Sequence, residues 1–322
     1  MSIAPSIASR GTAVTDANAP KPSFLKQHPI LMYFVLAYAG TWLALVPMLL
    51  SQDGLRLLPY HVPFAVFAVL FISSALLGPT LAAFIMTAAT DGRAGVRRLL
   101  RRYVLWRVGV PWYLVVLFGY IAFYLLAASV AQGMGPAQSA LAKWPLLFTA
   151  YLPAVLTFNL VTAVGEEPGW RGYALPHLQE KYGPVLGSFI LGTLHAGWHL
   201  PVFFLPALGL GTLSPGFVAM WLPSVWGTTL VWTWLFNRTK GSILMAILLH
   251  SAFDAANTFV ITRWTTLQSA SAAVQQRYSL VVLGLYIGTA LLAILLTRGR
   301  LGFSGKSGSP APEQPALAAV AR

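Results

Sequence analysis

The stretch VPWYLVVLFGYIAFYLLAASVA, residues 110–131, contains no charged side chain and is long enough to cross a lipid bilayer. A membrane-spanning helix needs about 20 predominantly apolar residues, because it must cover roughly 30 Å of hydrocarbon at about 1.5 Å per residue. Seven further segments share this length and apolarity: Ile30–Leu50, Val62–Thr87, Pro145–Gly165, Pro184–Pro206, Gly216–Phe236, Gly241–Ile261 and Ser279–Thr297. The sequence therefore predicts an all-α, polytopic transmembrane helical bundle of about eight spans.

The composition excludes an ordinary soluble domain. Of the 322 residues, 57% are hydrophobic and only 9% are charged, and the mean hydropathy is +0.69. Soluble domains carry about 25% charged residues. The chain has no cysteine, which excludes a disulfide framework, a thiolate nucleophile and a metal site with cysteine ligands.

The basic residues are distributed unevenly between the two sides of the predicted bundle. Seventeen of the 21 Lys and Arg lie on the side that holds both termini, and four lie on the other side: Arg56, Lys143, Arg263 and Arg277. Loops rich in Lys and Arg stay in the cytoplasm. We therefore expect both termini to be cytoplasmic and the protein to be an integral, multi-pass protein of the cell membrane. The same asymmetry accounts for the basic run Arg93–Arg102 and for the net charge of +13, so we expect no nucleic-acid partner.

Three regions follow from the pattern of spans. Residues 1–29 are rich in Ala, Ser, Pro and Lys and have no apolar run, so they are predicted to be a disordered N-terminal tail. Residues 30–300 form the integral membrane domain. Residues 301–322 are rich in Ser, Pro, Ala and Gly and are predicted to be a disordered C-terminal tail.

Ionisable residues within or beside the predicted spans form three groups. Each such residue costs roughly 2.5–3.5 kcal/mol at the centre of a bilayer, and for this reason it commonly has a function. In each group a spacing of four residues places two side chains on one helix face. The groups are Glu166, Glu167 and Arg171 after the fourth span, His195 and His199 in the fifth, and His250 and Asp254 in the seventh.

Each group also has a structural interpretation. Glu167 and Arg171 are suited to an ion pair in which two charges near lipid neutralise each other. His195 fits a hydrogen-bonded packing residue as well as a functional one. Glu166, His199 and His250 lie on three different spans, and one carboxylate with two imidazoles is suited to activating water or to holding a divalent cation.

The three groups form ordered motifs: Glu166-Glu167-Pro-Gly-Trp-Arg171, His195-Ala-Gly-Trp-His199 and His250-Ser-Ala-Phe-Asp254. Their order and spacing resemble the CAAX protease and bacteriocin-processing family of intramembrane endopeptidases, also called the Abi family. The resemblance covers a core of about residues 160–260. It departs from the family pattern at two positions, since the expected aromatic residue is His195 and the expected Asn is Asp254.

The resemblance implies hydrolysis of a peptide bond near the cytosolic side of the membrane. Glu166 would act as general base on a water, helped by His199, while His250 and Asp254 would stabilise the tetrahedral intermediate or complete a metal site. The resemblance thus implies a catalytic set of Glu166, Glu167, Arg171, His199, His250 and Asp254. If a divalent metal such as zinc is needed, its expected ligands are Glu166, His199 and His250.

The resemblance leaves the substrate open, and we expect a membrane-associated, prenylated or bacteriocin-like protein. The main alternative is a non-proteolytic membrane immunity or scaffold protein of the same fold, and a second alternative is a proton-coupled transporter. The chain lacks the phosphate-binding pattern Gly-x-x-x-x-Gly-Lys-Ser/Thr, so ATP is not an expected cofactor. The expected partners are the lipid bilayer and the peptide substrate, and the sequence predicts no oligomeric state.

Overall fold

All regular secondary structure in residues 24–208 and 213–305, the part of the chain that the computed structural model describes, is helical. The α-helices are α1 (Phe24–Gln27), α2 (Pro29–Leu50), α3 (Phe64–Ala75), α4 (Leu81–Tyr103), α5 (Val110–Gln132), α6 (Gly135–Ala142), α7 (Leu152–Val155), α8 (Phe158–Gly169), α9 (Leu175–Tyr182), α10 (Pro184–Trp198), α11 (Pro215–Arg238), α12 (Ile243–Trp264) and α13 (Ala272–Leu296). Wider π-helical turns occur at Leu76–Thr80, Leu147–Tyr151 and Trp170–Ala174, and short 3-10 turns at Leu200–Phe204, Pro206–Leu208 and Leu267–Ser269. The predicted all-α bundle is confirmed.

Six helical stretches within the described residues are long and apolar enough to cross a membrane. They are Pro29–Leu50, Phe64–Tyr103, Val110–Gln132, Leu147–Tyr182, Ile243–Trp264 and Ala272–Leu296. They coincide with six of the eight predicted spans. Their outer surfaces carry many exposed Leu, Val and Phe side chains, as expected for helices that face lipid.

The other two predicted spans are helices that do not meet both requirements. α10 has only 15 residues, because the chain turns into a 3-10 helix at Leu200-Pro201, where the proline cannot donate the next helical hydrogen bond. α11 is long enough at 24 residues, but it carries polar side chains such as Ser224, Thr228 and Thr229, which line an internal cavity. The lower hydropathy of α11 is therefore explained by the polar residues that line the cavity.

The helix that carries the first motif continues beyond Gly165, the last residue of the fourth predicted span. α8 passes through the π-helical turn Trp170–Ala174 into α9, so that one helical stretch of 36 residues, Leu147–Tyr182, contains the entire motif. Glu166 therefore lies inside the bundle instead of at a helix end. This continuation explains how Glu166 reaches the depth of the histidines on α10 and α12.

The motif helix packs closely against the π-helical turn Leu76–Thr80. The Thr80 hydroxyl donates to the carbonyl oxygen of Gly165 at 2.7 Å and lies 3.2 Å from that of Val164. The Val164 carbonyl lacks its usual helical donor, because the residue four positions later is Pro168. Interhelical approach this close requires small residues at the contact.

The two ends of the bundle are each held by hydrogen bonds between different helices. At one end, called the basic end here, the Arg102 guanidinium donates to Gly172 O at 3.0 Å and to Gly241 O at 2.8 Å. At the other end, called the far end, Gln132, the last residue of α5, donates to Thr266, which follows α12, at 3.0 Å. The basic end contains the loops that carry most of the Lys and Arg residues.

The predicted tails lie mostly outside the described residues, which begin at Phe24 and end at residue 305. Within the described part, residues 24–27 form α1, and Leu301 is fully buried and accepts a hydrogen bond from Asn237 at 2.9 Å. The chain just after α13 is therefore packed against α11.

Gly169→Ala is expected to destabilise the protein. A Cβ at this position would lie 2.5 Å from the Pro79 carbonyl oxygen and 2.5 Å from the Tyr33 hydroxyl, and overpacking of this kind costs about 1–3 kcal/mol. We expect a lower Tm for unfolding in detergent. Gly284→Ala is the matched control, since a Cβ there meets nothing within 4 Å. An equal Tm for the two variants would contradict the close packing.

Candidate active site

One oxygen of the Glu166 carboxylate is held by two nitrogen donors. Trp170 Nε1, one turn later on the same helix, donates to Oε2 at 3.2 Å, and His195 Nε2 lies 3.1 Å from the same oxygen. The second oxygen, Oε1, accepts no hydrogen bond from the described residues. Because Glu166 is buried but lines the internal cavity, Oε1 is the carboxylate oxygen available to a small molecule in that cavity.

His199 is oriented by the backbone of its own helix. Its Nδ1 lies 3.0 Å from the carbonyl oxygen of His195, so that Nδ1 carries the proton and Nε2 keeps its lone pair. Trp198 packs edge-on against the His199 ring at a centroid distance of 4.7 Å. The local sequence therefore fixes both the tautomer and the direction of this imidazole.

Glu167 lies in a different environment from Glu166, because consecutive helical residues point about 100° apart. Its Oε1 accepts from Arg171 Nη1 at 2.8 Å and from His250 Nδ1 at 2.7 Å. Glu167 and Arg171 are both almost completely buried. The Arg171 guanidinium also lies over the Trp232 ring, 4.5 Å from its centroid. This group joins α8, α11 and α12.

His250 lies between two carboxylates on different helices. Its Nδ1 contacts Glu167, and its Nε2 lies 3.6 Å from Asp254 Oδ2, which is too long for a hydrogen bond. The Asp254 side chain is 33% exposed, whereas that of His250 is 9% exposed. Asp254 is thus the more open of the two groups.

All these groups except Glu167 and Trp170 line one cavity of about 910 Å³. Its polar wall includes Asn257, Tyr278 and Ser279, and its apolar wall includes Leu45, Phe71 and Met220. A cavity of this size, mostly apolar with a few convergent polar groups, is typical of a ligand or substrate site.

The three predicted motifs meet at this cavity, but the closest group of metal-binding side chains differs from the one we expected. Glu166, His195 and His199 each offer a donor atom within 4.8 Å of the others. The expected set had His250 in place of His195. The physical reason for the difference is that His250 Nδ1 is bonded to Glu167, while His195 Nε2 contacts Glu166 directly.

Sequence reasoning missed the contribution of two tryptophans and placed one amide differently. Trp170 stands four residues after Glu166, a spacing that predicts contact on one helix face. From sequence alone Trp232 is compatible with a packing residue or an interfacial anchor, yet its ring covers Arg171 and its Nε1 donates to the Tyr120 hydroxyl at 2.6 Å. Asn257, two turns after His250 on the same face of α12, is by spacing a weaker candidate partner for His250, but it accepts from the Tyr278 hydroxyl at 2.9 Å instead.

Known proteins match the part of the chain that contains the three motifs. Residues 147–256 match the family described as type II CAAX prenyl endopeptidase Rce1-like. The resemblance to the CAAX protease and bacteriocin-processing family is confirmed. CAAX prenyl protease 2 of Methanococcus maripaludis is similar to this chain, with 30% identity over 105 residues. The matched region is 32% of this chain and 38% of that relative.

The region that matches the family contains all three motifs and both departures from its pattern. His195 and Asp254 lie on α10 and α12, within residues 147–256. Both side chains line the cavity. The departures therefore change the chemistry of the cavity wall itself.

Glu167→Gln is expected to destabilise the protein by about 3–5 kcal/mol, because it leaves the buried Arg171 charge without its partner. The double variant Glu167→Gln/Arg171→Met is expected to lose much less, since both charges are absent. Tm values in detergent measure the difference. Glu180→Gln is the control, because Glu180 is exposed. If Glu167→Gln and Glu180→Gln unfold at the same temperature, the ion pair does not stabilise the fold.

Proposed function

We propose that the protein is an intramembrane endopeptidase that hydrolyses a peptide bond of a membrane-associated protein, with Glu166 as the base that activates water. The observation that carries the proposal is the arrangement of Glu166. Its Oε2 is bound by Trp170 and His195, which leaves Oε1 for a water in the cavity. A positioned carboxylate that removes a proton in the transition state typically contributes about 10²–10⁴-fold to the rate.

His199 supports the same water from a second helix. Its Nδ1 is occupied by the His195 carbonyl, so its Nε2 is an acceptor that orients the water toward the peptide carbonyl. The water oxygen attacks the carbonyl carbon while Glu166 takes its proton. Glu166 then gives that proton to the leaving amine as the C–N bond breaks.

The negative charge that develops on the carbonyl oxygen is stabilised by His250. With both nitrogens protonated, His250 donates from Nδ1 to Glu167 and directs Nε2–H into the cavity. The Asp254 carboxylate lies close to this donor, with its Oδ2 3.6 Å from His250 Nε2. A fixed donor aimed at developing charge is a strong contribution to catalysis.

Arg171 and Glu167 act on this chemistry indirectly. Glu167 Oε1 binds both Arg171 and His250, so the ion pair fixes the His250 ring. Arg171 in turn is held under Trp232. We assign Glu167 and Arg171 as positioning residues and Glu166, His199, His250 and Asp254 as the groups that face the substrate.

The apolar wall of the cavity supports a substrate that carries an apolar segment. Leu45, Phe71, Phe217 and Met220 contribute to that wall. The relative from Methanococcus maripaludis is named as a prenyl protease. We propose that the substrate is a membrane-associated, prenylated or bacteriocin-like protein and that cleavage takes place in the cell membrane.

Glu166, His195 and His199 fit a divalent transition-metal ion in donor chemistry. One carboxylate and two imidazoles form a common three-residue set for zinc, and the hydrogen bond from His199 Nδ1 leaves Nε2 free for an ion. A bound ion would supply Lewis-acid polarisation of the carbonyl and a water that is more easily deprotonated.

Glu166→Gln is expected to lower kcat by about 10²–10⁴-fold, because the amide cannot accept the proton of water. The assay compares cleavage of a quenched fluorescent peptide ending in a farnesylated CAAX sequence with that of the unprenylated peptide, in lipid nanodiscs. Glu180→Gln is the control and should retain the wild-type rate. A variant with Glu166→Gln that cleaves at the wild-type rate would overturn the role of this carboxylate.

His195→Phe is expected to weaken zinc binding by more than the roughly 10–100-fold that follows loss of a ligand's hydrogen-bonding partner. Isothermal titration of the purified protein with zinc measures the affinity. His177→Phe is the matched control, because His177 contacts the Tyr173 carbonyl and is not part of this site. If His250→Gln weakens zinc binding and His195→Phe does not, the ligand set contains His250 instead of His195.

A further inference from the structure

A second cavity, called the basic-end cavity here, lies at the basic end of the bundle and has a volume of about 560 Å³. Its walls come from α4, from α9 and the π-helical turn before it, from the turn between α11 and α12, and from residues 302–304. It shares no lining residue with the cavity that contains the three motifs. A ligand in the basic-end cavity would therefore occupy a separate site.

The charged residues of this wall carry an excess of positive charge. Arg98 and Arg102 are four residues apart on one face of α4, and Lys240 lies in the turn between α11 and α12. Two carboxylates, Asp91 and Glu180, also line the cavity. Asp91 is paired with Arg98 at 2.8 Å, so its charge is already balanced.

Arg102 is a half-buried cation whose known partners are all uncharged. It donates from Nε to Gly241 O at 2.8 Å and from Nη1 to Gly172 O at 3.0 Å. Its guanidinium also lies 5.0 Å from the centroid of the Phe236 ring. Within the described part of the chain, neither Arg102 nor Lys240 forms an ion pair with a carboxylate. Because a cation removed from water is stabilised by an opposite charge, these two cations are suited to an anionic ligand.

The remaining nitrogen of Arg102, Nη2, is left open by a glycine. Nη2 donates to none of the described residues, and a Cβ at Gly241 would lie 2.8 Å from it. Gly241 itself lines the cavity. The absence of a side chain at this position therefore keeps a charged donor accessible from the cavity.

The position of the cavity along the bundle matches the depth of lipid phosphates. It lies where membrane helices end, since α4 ends at Tyr103, α11 ends at Arg238 and α12 begins at Ile243. The basic loops at this end are expected in the cytoplasm. Basic pockets between spans on the cytoplasmic side commonly bind phosphorylated headgroups.

We propose that the basic-end cavity binds a phosphate group, held by Arg102 and Lys240. Arginine is well suited to this role, because its planar guanidinium donates several hydrogen bonds to phosphate oxygens. The Arg98–Asp91 pair keeps the nearest carboxylate of α4 from repelling the ligand. Two sources carry this chemistry, the headgroup of an anionic lipid and inorganic phosphate in solution. The proposal does not rest on the endopeptidase function.

A phosphate bound to Arg102 would also stabilise the arrangement of the helices that carry the motifs. Arg102 binds the carbonyl of Gly172, which follows Arg171 of the first motif, and that of Gly241, which precedes α12 with His250. A ligand that binds only the folded protein raises its Tm. Ligand binding can therefore be detected by thermal unfolding as well as by calorimetry.

The test uses the full-length protein in a non-ionic detergent. It is titrated with dihexanoyl phosphatidylglycerol, with dihexanoylglycerol, which has the same acyl chains and no phosphate, and with inorganic phosphate. Tm and the dissociation constant from isothermal titration calorimetry are measured for each. We expect phosphatidylglycerol to raise the Tm and dihexanoylglycerol to leave it unchanged.

Two pairs of variants locate the site. Lys240→Gln is expected to weaken phosphatidylglycerol binding about fivefold, whereas Arg238→Gln should weaken it less than twofold. Arg238 is exposed, two residues away, and does not line the cavity. Arg98→Gln should weaken binding at least as much as Lys240→Gln, since it leaves Asp91 unpaired. Its control is Arg97→Gln, because Arg97 is exposed on α4 outside the cavity.

Each result has a distinct meaning. Binding of phosphatidylglycerol without inorganic phosphate supports the proposal with a lipid headgroup as ligand, and similar binding of both supports it with phosphate itself as ligand. Equal Tm shifts with phosphatidylglycerol and dihexanoylglycerol, equal weakening by Lys240→Gln and Arg238→Gln, or no binding by any ligand would overturn it. Glu166→Gln should bind phosphatidylglycerol like the wild type. Loss of peptide cleavage with phosphate binding intact thus affects only the proposed function.

Discussion

Glu167 Oε1 accepts hydrogen bonds from Arg171 and His250 at the same time, and the remaining groups of the site are arranged around this buried anion. Arg171, one turn after Glu167 on the same helical stretch, donates at 2.8 Å, and His250 of α12 donates at 2.7 Å. Removal of one partner from such a group leaves an uncompensated buried charge. The contact therefore fixes how α8 and α12 face each other, and it fixes the direction of the His250 ring.

The position of Glu166 follows from that of Glu167. Because adjacent residues on a helix point about 100° apart, holding Glu167 toward α12 directs Glu166 toward α10, where His195 meets it at 3.1 Å. The Arg171 guanidinium is covered by Trp232 of α11. Two neighbouring carboxylates thus contact different helices, one in a closed ion-pair group and the other at the wall of the cavity.

Much of the fold and of the site followed from residue patterns. Long apolar runs indicated the bundle, and spacings of four residues indicated the pairs of Glu167 with Arg171 and of His250 with Asp254. The sequence left the path of the motif helix open, because Pro168-Gly169 is also compatible with a helix end. The Thr80 hydroxyl, from another part of the chain, contacts the carbonyl that Pro168 leaves free. The choice of His195 over His250 as the neighbour of Glu166 also depended on tertiary contacts that spacing does not contain.

The close packing at Gly165 and Gly169 contributes to the fold of this site without taking part in its chemistry. A Cβ added at either glycine would lie within 3 Å of a neighbouring atom. The helix around the first motif therefore contains packing positions as well as ionisable ones. A relative that keeps these glycines and the Glu167–Arg171 pair but has lost the residue equivalent to Glu166 would retain the bundle and its cavity. Under the role that we propose for Glu166, such a protein would be a pseudoenzyme, recognisable from sequence by the loss of one carboxylate alone, and it would present the same cavity for binding without hydrolysis.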